Sequence, residues 1–416
     1  MEASEIHPSK DILCLSSRLI EGKKVAMGVC GSVACIKSPE IARGLMRHGG
    51  DVWVVMTKAA QELISPALME WATGNPVVTD LTGKIEHVAL GKGGECGADV
   101  VLISPATANT ISKIACGIDD TPVTSLATTA IGSGVPVLVA PAMHVSMLHH
   151  PAVQENVKKL SAMGVRVLLP HVDEGKAKLI SEEDIVEEVI ATLRPKDMTG
   201  LRVLVTSGPT RSYMDSIRFI TNSSSGKMGV AFAKEATARG ADVTLVSGPV
   251  DVPRLRAKVI KVTSTNEMMH AVLEELSSTK YDLAVMAAAP LDFDVAESTR
   301  GKLSSDSPVT LRLIPAPKIL AEAKRTSPET CVIGFKAEFG LDVEALISKA
   351  KARLEGSGCD MIVANDLSSP DRGFASDTDE AYVLSKDGSC IHIPLKHKRE
   401  LASQILDLFL ERRGDA

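Results

Sequence analysis

Residues 218–229, Arg-Phe-Ile-Thr-Asn-Ser-Ser-Ser-Gly-Lys-Met-Gly, gather the groups that hold an anion. The stretch is polar and glycine-bearing, and it runs directly into a helical pattern from Gly229 to Arg239. A β-rich run, Arg202–Thr206, precedes it and ends in Ser-Gly-Pro-Thr-Arg (207–211). The first N–H groups of a helix have no partner within it and carry the positive end of its dipole. With serine hydroxyls and a lysine beside them they suit a phosphate or an adenylate-like ester. The spacing is not that of a Walker loop, because no glycine stands five residues ahead of Gly226. A plain capped helix in an α/β domain would leave the same trace.

Three other groupings could do chemistry. Cys30-Gly31-Ser32 follows the β-rich run Lys24–Val29 and opens a helical pattern, where an α/β sheet holds a phosphate by backbone N–H and a serine hydroxyl. Lys349 and Arg353 stand four apart on a helical pattern, so they share one face; both could reach a phosphate, or the face is simply solvated. His87 lies among the apolar Ile85, Val88 and Leu90. It is either a satisfied histidine or a proton-handling one, since imidazole titrates near neutrality.

The elements that must position these residues alternate between apolar β-rich runs and helical patterns, the signal for parallel sheets covered by helices. Strands are predicted at Lys24–Val29, Asp51–Met56, Asp99–Ser104, Val135–Ala140 and Val165–Leu169, with helices at Val33–His48, Thr107–Cys116, Pro151–Met163 and Ser181–Leu193. Ser181-Glu-Glu-Asp184 resembles a capping box with Asp for Glu. Residues 194–200, with Pro195 and Gly200 punctuating a charged stretch, read as a linker. The pattern then restarts, with strands at Arg202–Thr206, Asp242–Ser247, Asp282–Ala287, Cys331–Phe335 and Asp360–Ala364 and helices at Gly229–Arg239, Asn266–Ser277, Val343–Glu355 and His397–Arg412. Between Ala288 and Ala316 helical periodicity fails, so a long functional loop with a strand at Val309–Ile314 is predicted. The expected class is α/β, two doubly wound Rossmann-like domains over 22–193 and 201–416.

Composition narrows the function. A net charge of −6 and 3% aromatic residues argue against a nucleic-acid surface. Eight cysteines without a C-x-x-C pair indicate neither a zinc site nor a disulfide framework. No apolar run reaches 18 residues and the start of the chain is polar, so no membrane span or signal peptide is expected, and a cytoplasmic protein is. A nicotinamide dehydrogenase would need a G-x-G-x-x-G turn with an acidic residue about 20 further on, which neither half has.

Gly208-Pro209-Thr210-Arg211 followed by Ile220-Thr-Asn-Ser-Ser-Ser-Gly-Lys-Met-Gly229 resembles the phosphopantothenate–cysteine ligase signature. Ile85-Glu-His-Val-Ala-Leu90, Pro105-Ala-Thr-Ala-Asn109 and Pro141-Ala-Met-His-Val-Ser-Met147 resemble the flavin-dependent phosphopantothenoylcysteine decarboxylases. In this order, over residues 22 to 410, they resemble the bifunctional coenzyme A biosynthesis family. The resemblance implies a flavodoxin-like first domain in which Gly31, Ser32 and Thr57 hold the FMN phosphate and Ser104, Thr107 and Asn109 line the flavin and substrate. It implies His87 as the catalytic histidine. Loss of CO₂ from a carbon beside a thiol needs an electron sink, which oxidation of the thiol to a thioaldehyde by FMN would create, leaving the protein to orient groups and handle protons.

For the second half the resemblance implies CTP with Mg²⁺ as activator of 4′-phosphopantothenate, an acyl-cytidylate held by Asn222, and attack by cysteine. Ala287, Asp292, Lys302, Pro317, Lys318, Ile319, Leu320, Phe335, Lys349 and Arg353 (a lysine in the bacterial pattern) match nucleotide-binding positions. Asn365-Asp366 matches a motif that either supports the loop or touches the ligand. A homo-oligomer is implied, with trimers of the flavin domain and dimers of the ligase domain building a dodecamer. A flavin-binding regulatory module is the alternative for the first half, against which the intact His87 motif argues.

Two positions depart from the bacterial pattern. His144 replaces an asparagine that would bond the substrate carboxylate, and could do the same, more strongly if protonated. Its neighbours His149 and His150 lack a carboxylate or cysteine at metal-ligand spacing. The flap, His171–Lys178, has no cysteine, as in the archaeal branch, which leaves Lys176, Lys178 or Cys116 as candidate proton donors, against a solvated loop and a buried filler.

Overall fold

The computed structural model describes residues 7–93, 97–169, 171–173, 176–304 and 308–414, with the backbone alone for 171–173 and 176–178. They form two compact units, Met1–Arg194 and Pro195–Ala416.

In the first unit the apolar runs become β1 (Lys24–Val29), β2 (Asp51–Met56), β3 (Val100–Ala106), β4 (Val137–Pro141) and β5 (Arg166–Val167). All neighbours pair in parallel, in the order β2-β1-β3-β4-β5. β3 is buried along its whole length, as a strand covered on both faces must be. Ile41, Leu45 and Ile185 pack on one face with Met27, while Ile111, Leu126 and Leu160 pack on the other with Ile103. This is the flavodoxin-like order, and it reverses between β1 and β3, which opens a crevice at the carboxyl ends of those strands.

The second unit contains β6 (Arg202–Ser207), β7 (Asp242–Ser247), β8 (Lys258–Lys261), β9 (Leu283–Met286), β10 (Cys331–Glu338), β11 (Met361–Asp366), β12 (Thr378–Ser385) and β13 (Cys390–His397). The sheet runs β8-β7-β6-β9-β10-β11-β12-β13, parallel through β11 and antiparallel for the last two strands. Its first six strands have the Rossmann order, with the reversal between β6 and β9. Helices Lys227–Ala238 and Lys398–Gly414 cover one face through Phe232 and Leu406; Thr265–Ser278 and Val343–Ser357 cover the other through Met268 and Leu346.

Several expectations need correction. The predicted helix Val33–His48 starts as a 3₁₀ turn, Val33–Lys37, and becomes α-helical at Ser38–Arg47, with Pro39 in its first turn where a missing N–H costs nothing. The predicted strand Val309–Ile314 is a short pair instead, Leu313–Pro315 against Phe293–Val295. The segment read as a linker packs on the second unit. Met198 is fully buried there, and the Asp197 carboxylate accepts from Arg239 Nε and Nη2 at 2.8 and 2.6 Å. Helices Pro66–Thr73, Pro122–Gly132 and Ile319–Thr326 and the β12–β13 pair were not predicted.

Helix Lys227–Ala238 can start at the end of β6 only because residue 229 is glycine: a Cβ there would lie 2.6 Å from Ser207 Cβ and 2.7 Å from Thr206 O. Gly229→Ala should therefore destabilise the second unit by about 1–3 kcal/mol through overpacking. Thermal melting checks it, at roughly 2–4 °C per kcal/mol for a unit of this size. Gly356→Ala, at a helical position with nothing within 4 Å, should leave the melting temperature unchanged or raise it.

Candidate active sites

At the β1/β3 reversal of the first unit, Gly31 abuts Ala59; a Cβ on Gly31 would sit 2.5 Å from Ala59 Cβ and 2.9 Å from its carbonyl carbon. Three polar side chains start the surrounding turns. Ser32 Oγ accepts from Ala34 N–H at 3.4 Å, Thr57 Oγ1 from Ala60 N–H at 3.2 Å and Thr107 Oγ1 from Thr110 N–H at 3.3 Å. Backbone bonds draw these turns together: Thr57 N–H donates to Val29 O (3.1 Å), Cys30 N–H to Pro105 O (3.3 Å) and Ala142 N–H to Ala106 O (3.0 Å). Burial pushes the Cys30 thiol up to about 11, so it stands as an apolar filler.

The same crevice holds an unsatisfied group. Ser104 is fully buried, and its hydroxyl has no hydrogen-bond partner. An orphaned buried hydroxyl beside a glycine-walled turn fits an absent ligand with polar edges and a phosphate. Asn109 is exposed in the first turn of the helix that Thr107 caps. His87 sits on the short helix Glu86–Gly91, which packs against Pro122–Gly132, and its Nδ1 is likewise buried without a partner. Among the described residues no hydrogen bond joins this ring to the Gly31–Thr107 cluster.

His144 caps the turn Val145–Leu148, its Nδ1 accepting from Ser146 N–H at 3.2 Å, with Ser146 Oγ at 2.7 Å. With Nδ1 accepting, Nε2 is the ring nitrogen left to donate, as an asparagine amide would. The flap backbone pairs with this segment, Lys176 opposite His144 and Ala177 opposite Met143. The side chains of Lys176 and Lys178 lie outside the described residues. Cys116 is exposed at the end of its helix, not a buried filler.

In the second unit an open cleft of about 640 Å³ lies at the β6/β9 reversal. Asn222, Ala287, Asp292, Pro317, Lys318, Ile319, Leu320, Phe335 and Arg353 all line it, together with Ser224–Met228 of the polar loop. No side chain caps helix Lys227–Ala238, so its first N–H groups face the cleft end open to an anion. Asn222 Nδ2 donates to the Ala289 and Pro290 carbonyls, both at 3.1 Å, which fixes its amide and leaves Oδ1 for a ligand. Asp292 and Lys318 pair at 2.5 Å.

Three expected contacts differ. Lys349 is not in the lining: its Nζ bonds Glu338 at 3.0 Å, and Glu338 is also paired with Lys336, which holds its carboxyl below the usual range. Lys302 is exposed on the loop after Val295 and is not in the lining either. Lys227 donates to Ala375 O and to Asp377, both at 2.7 Å, so it anchors the 371–377 loop. Asp379 and Lys398 also line the cleft, and no motif marks them, because buried and exposed charges look alike in a sequence. Both are buried, Asp379 on the unpredicted strand β12 and Lys398 at the start of helix Lys398–Gly414. Among the described residues no group of three His, Cys, Asp or Glu could hold a metal, and no helix is long and apolar enough to cross a membrane.

Two protein families match the chain: Flavoprotein over residues 14–194, and the DNA/pantothenate metabolism flavoprotein C-terminal domain over residues 198–412. A coenzyme A biosynthesis bifunctional protein CoaBC from Thermococcus kodakarensis is 48% identical over 402 residues, 97% of this chain and 98% of the relative. The protein of the same name from Methanocaldococcus jannaschii is 38% identical over 386 residues, 92% and 93% of the two chains. A crystal structure of the C-terminal domain of such a protein, 31% identical, covers 53% of this chain and 100% of its own with a TM-score of 0.45. Two family matches in sequence, one per unit, and relatives aligned almost end to end establish that the chain belongs to the coenzyme A biosynthesis bifunctional proteins.

Proposed function

We propose that the chain carries two activities of coenzyme A biosynthesis. The second unit ligates 4′-phosphopantothenate with cysteine, and the first decarboxylates the resulting 4′-phosphopantothenoylcysteine to 4′-phosphopantetheine with a flavin. The observation that carries this reading is that each unit places its own signature loop at its own strand-order reversal, where α/β sheets bind ligands.

In the first unit Gly31, Ser32 and Thr57 would hold the phosphate of FMN, and Ser104, Thr107 and Asn109 its ring and the substrate. The flavin would supply reversible two-electron oxidation of the substrate's thiol-bearing carbon. His87 would move a proton at the reacting carbon or sulfur, its Nδ1 being free to engage a ligand. His144 would donate Nε2–H to the substrate carboxylate. Lys176 and Lys178 would be the candidate proton donors in place of the bacterial flap cysteine, with Lys176 opposite His144 in the strand register.

In the second unit the uncapped helix start and Lys318 would receive the triphosphate of CTP. Asp292, in the cleft lining, would help hold Mg²⁺, which would supply charge neutralisation of the triphosphate. Asn222 Oδ1 would orient the acyl-cytidylate. Arg353 would contribute charge, Lys349 would act through Glu338, and Lys302 would add a cation to the nucleotide. A cytoplasmic homo-oligomer belongs to the same reading.

His87→Asn should cut CO₂ release from 4′-phosphopantothenoylcysteine by about 100-fold or more, the worth of a positioned proton donor, and leave ligation intact. Full decarboxylation in that variant would remove His87 from the mechanism. Asn222→Asp should slow ligation and spare flavin absorbance, because the added negative charge faces an acyl phosphate. Pyrophosphate release in the presence of 4′-phosphopantothenate should run with CTP and Mg²⁺ and not with ATP; equal turnover with ATP would rule out cytidine selectivity.

A further inference from the structure

Three acidic side chains line the cleft of the second unit, and two of them are engaged by lysines: Asp292 by Lys318, and Glu338 by Lys336 and Lys349. Asp379 is different. It is 3% exposed, its Oδ2 accepts from Asn365 Nδ2 at 3.0 Å, and its Oδ1 accepts from Glu380 N–H at 3.0 Å. Lys398 and Arg372 act on it at longer range, and neither forms an ion pair with it. Lys398 Nζ donates to the Gly373 and Ser376 carbonyls, both at 2.6 Å, and Arg372 bonds Glu380 and Asp371. Burial pushes the Asp379 carboxyl up to about 6, against the pull of Lys398, so near neutrality it can both take and release a proton.

Its place in the cleft suits a reaction at the polar loop. The segment leading into Asp379 is bonded to that loop: Lys227 Nζ reaches Ala375 O and Asp377, and Ser225 Oγ donates to Phe374 O. An acyl phosphate seated on the helix start at Lys227 therefore lies on the side of the cleft that Asp379 borders.

We propose that Asp379 is the proton acceptor for the attacking amine of cysteine, with Asn365 as its positioning residue. The proposal rests on the assignment of the second unit as the ligase. The cysteine ammonium gives one proton to the Asp379 carboxylate, which frees the nitrogen lone pair. Nitrogen bonds to the acyl carbon, the bond from that carbon to the phosphate oxygen breaks, and the nucleoside monophosphate leaves with the electron pair. The second nitrogen proton goes to water as the amide forms, and Asp379 returns its own to water after release. Nothing is oxidised or reduced.

The test uses the full-length protein with Asp379→Asn and Asp379→Glu. Activation is read as pyrophosphate released from the nucleotide with 4′-phosphopantothenate alone, and transfer as product formed on adding cysteine. Asp379→Asn should keep activation and lose transfer to cysteine by about 100-fold or more, while Asp379→Glu recovers part of it. Hydroxylamine, a nucleophile already unprotonated at neutral pH, should trap the acyl group as hydroxamate equally in variant and parent. Parent transfer should fall as pH drops through about 6, where Asp379 becomes protonated. In Asp379→Asn that limb should vanish, and the rate should instead climb with pH as free amine appears. Transfer to cysteine within a few-fold of the parent overturns the proposal. So does loss of pyrophosphate release or hydroxamate formation in Asp379→Asn, which would make the residue structural. If the parent released no pyrophosphate with any nucleotide, the ligase reading itself would fail.

Discussion

Both sites depend on a close backbone approach where a strand hands over to a helix. In the second unit the turn at Gly229 lies against Thr206 and Ser207, so the helix N-terminus ends beside the carboxyl end of β6. In the first unit Gly31 does the same against Ala59 after β1. A parallel sheet whose strand order reverses leaves a gap at that edge with nothing but loops to fill it. Glycine at the handover lets the helix or turn come close enough for its unpaired N–H groups to border the gap. Without that approach the polar loops would still exist, but their donors would point into solvent.

Polar groups elsewhere are closely satisfied. The Asp215 carboxylate accepts from the Arg218 and Ile217 N–H groups, from Leu303 N–H and from Arg218 Nε, and these bonds hold it far below its usual range. Asp360 is pushed up by burial, yet Lys324, Lys386 and Val332 N–H, each at 2.8 Å, bring it below its usual range. Ser104 Oγ and His87 Nδ1, like Thr237 Oγ1 and Arg372 Nε, are buried without hydrogen-bond partners, and Asp379 is buried without an ion pair. Ser104, His87 and Asp379 lie in or beside the two candidate sites, where such a departure can carry a function.

Much of this architecture was readable from the chain. β1, β2 and β7 run over the residues that β-branched, apolar patterning predicts, because strands buried on both faces leave a continuous apolar signature. Helix Pro122–Gly132 was hidden by its threonines and glycine, which score poorly in isolation and are overruled by packing on β3 and β4. The β12–β13 pair escaped because a charged residue, Asp379, occupies one of its buried positions and it follows a loop rich in Ser and Asp. Residues 195–200 have a linker's composition, yet Met198 and the Asp197–Arg239 pair bind them to the second core. At the sites, positions in the loops at strand ends were legible, whereas Lys302 and Lys349 were not, since reach depends on side-chain paths that spacing does not encode.

The carboxylates also divide by what they do to stability. Asp360 has a folded-state pKa below its ordinary 3.8, so its contribution is present above that pH and is lost as pH falls further. Asp379 has the opposite sign. Raised from 3.8 to about 6, it binds its proton more tightly folded than unfolded, so stability declines as pH climbs through that window and stays lower above it. A fold selected only for stability would have given Asp379 an ion pair, as it gave Asp360 two. Lys398, the nearest candidate, is instead held by two loop carbonyls. The lysine therefore orders the loop beside the cleft and tempers the carboxyl without neutralising it, leaving a buried acid raised to about 6.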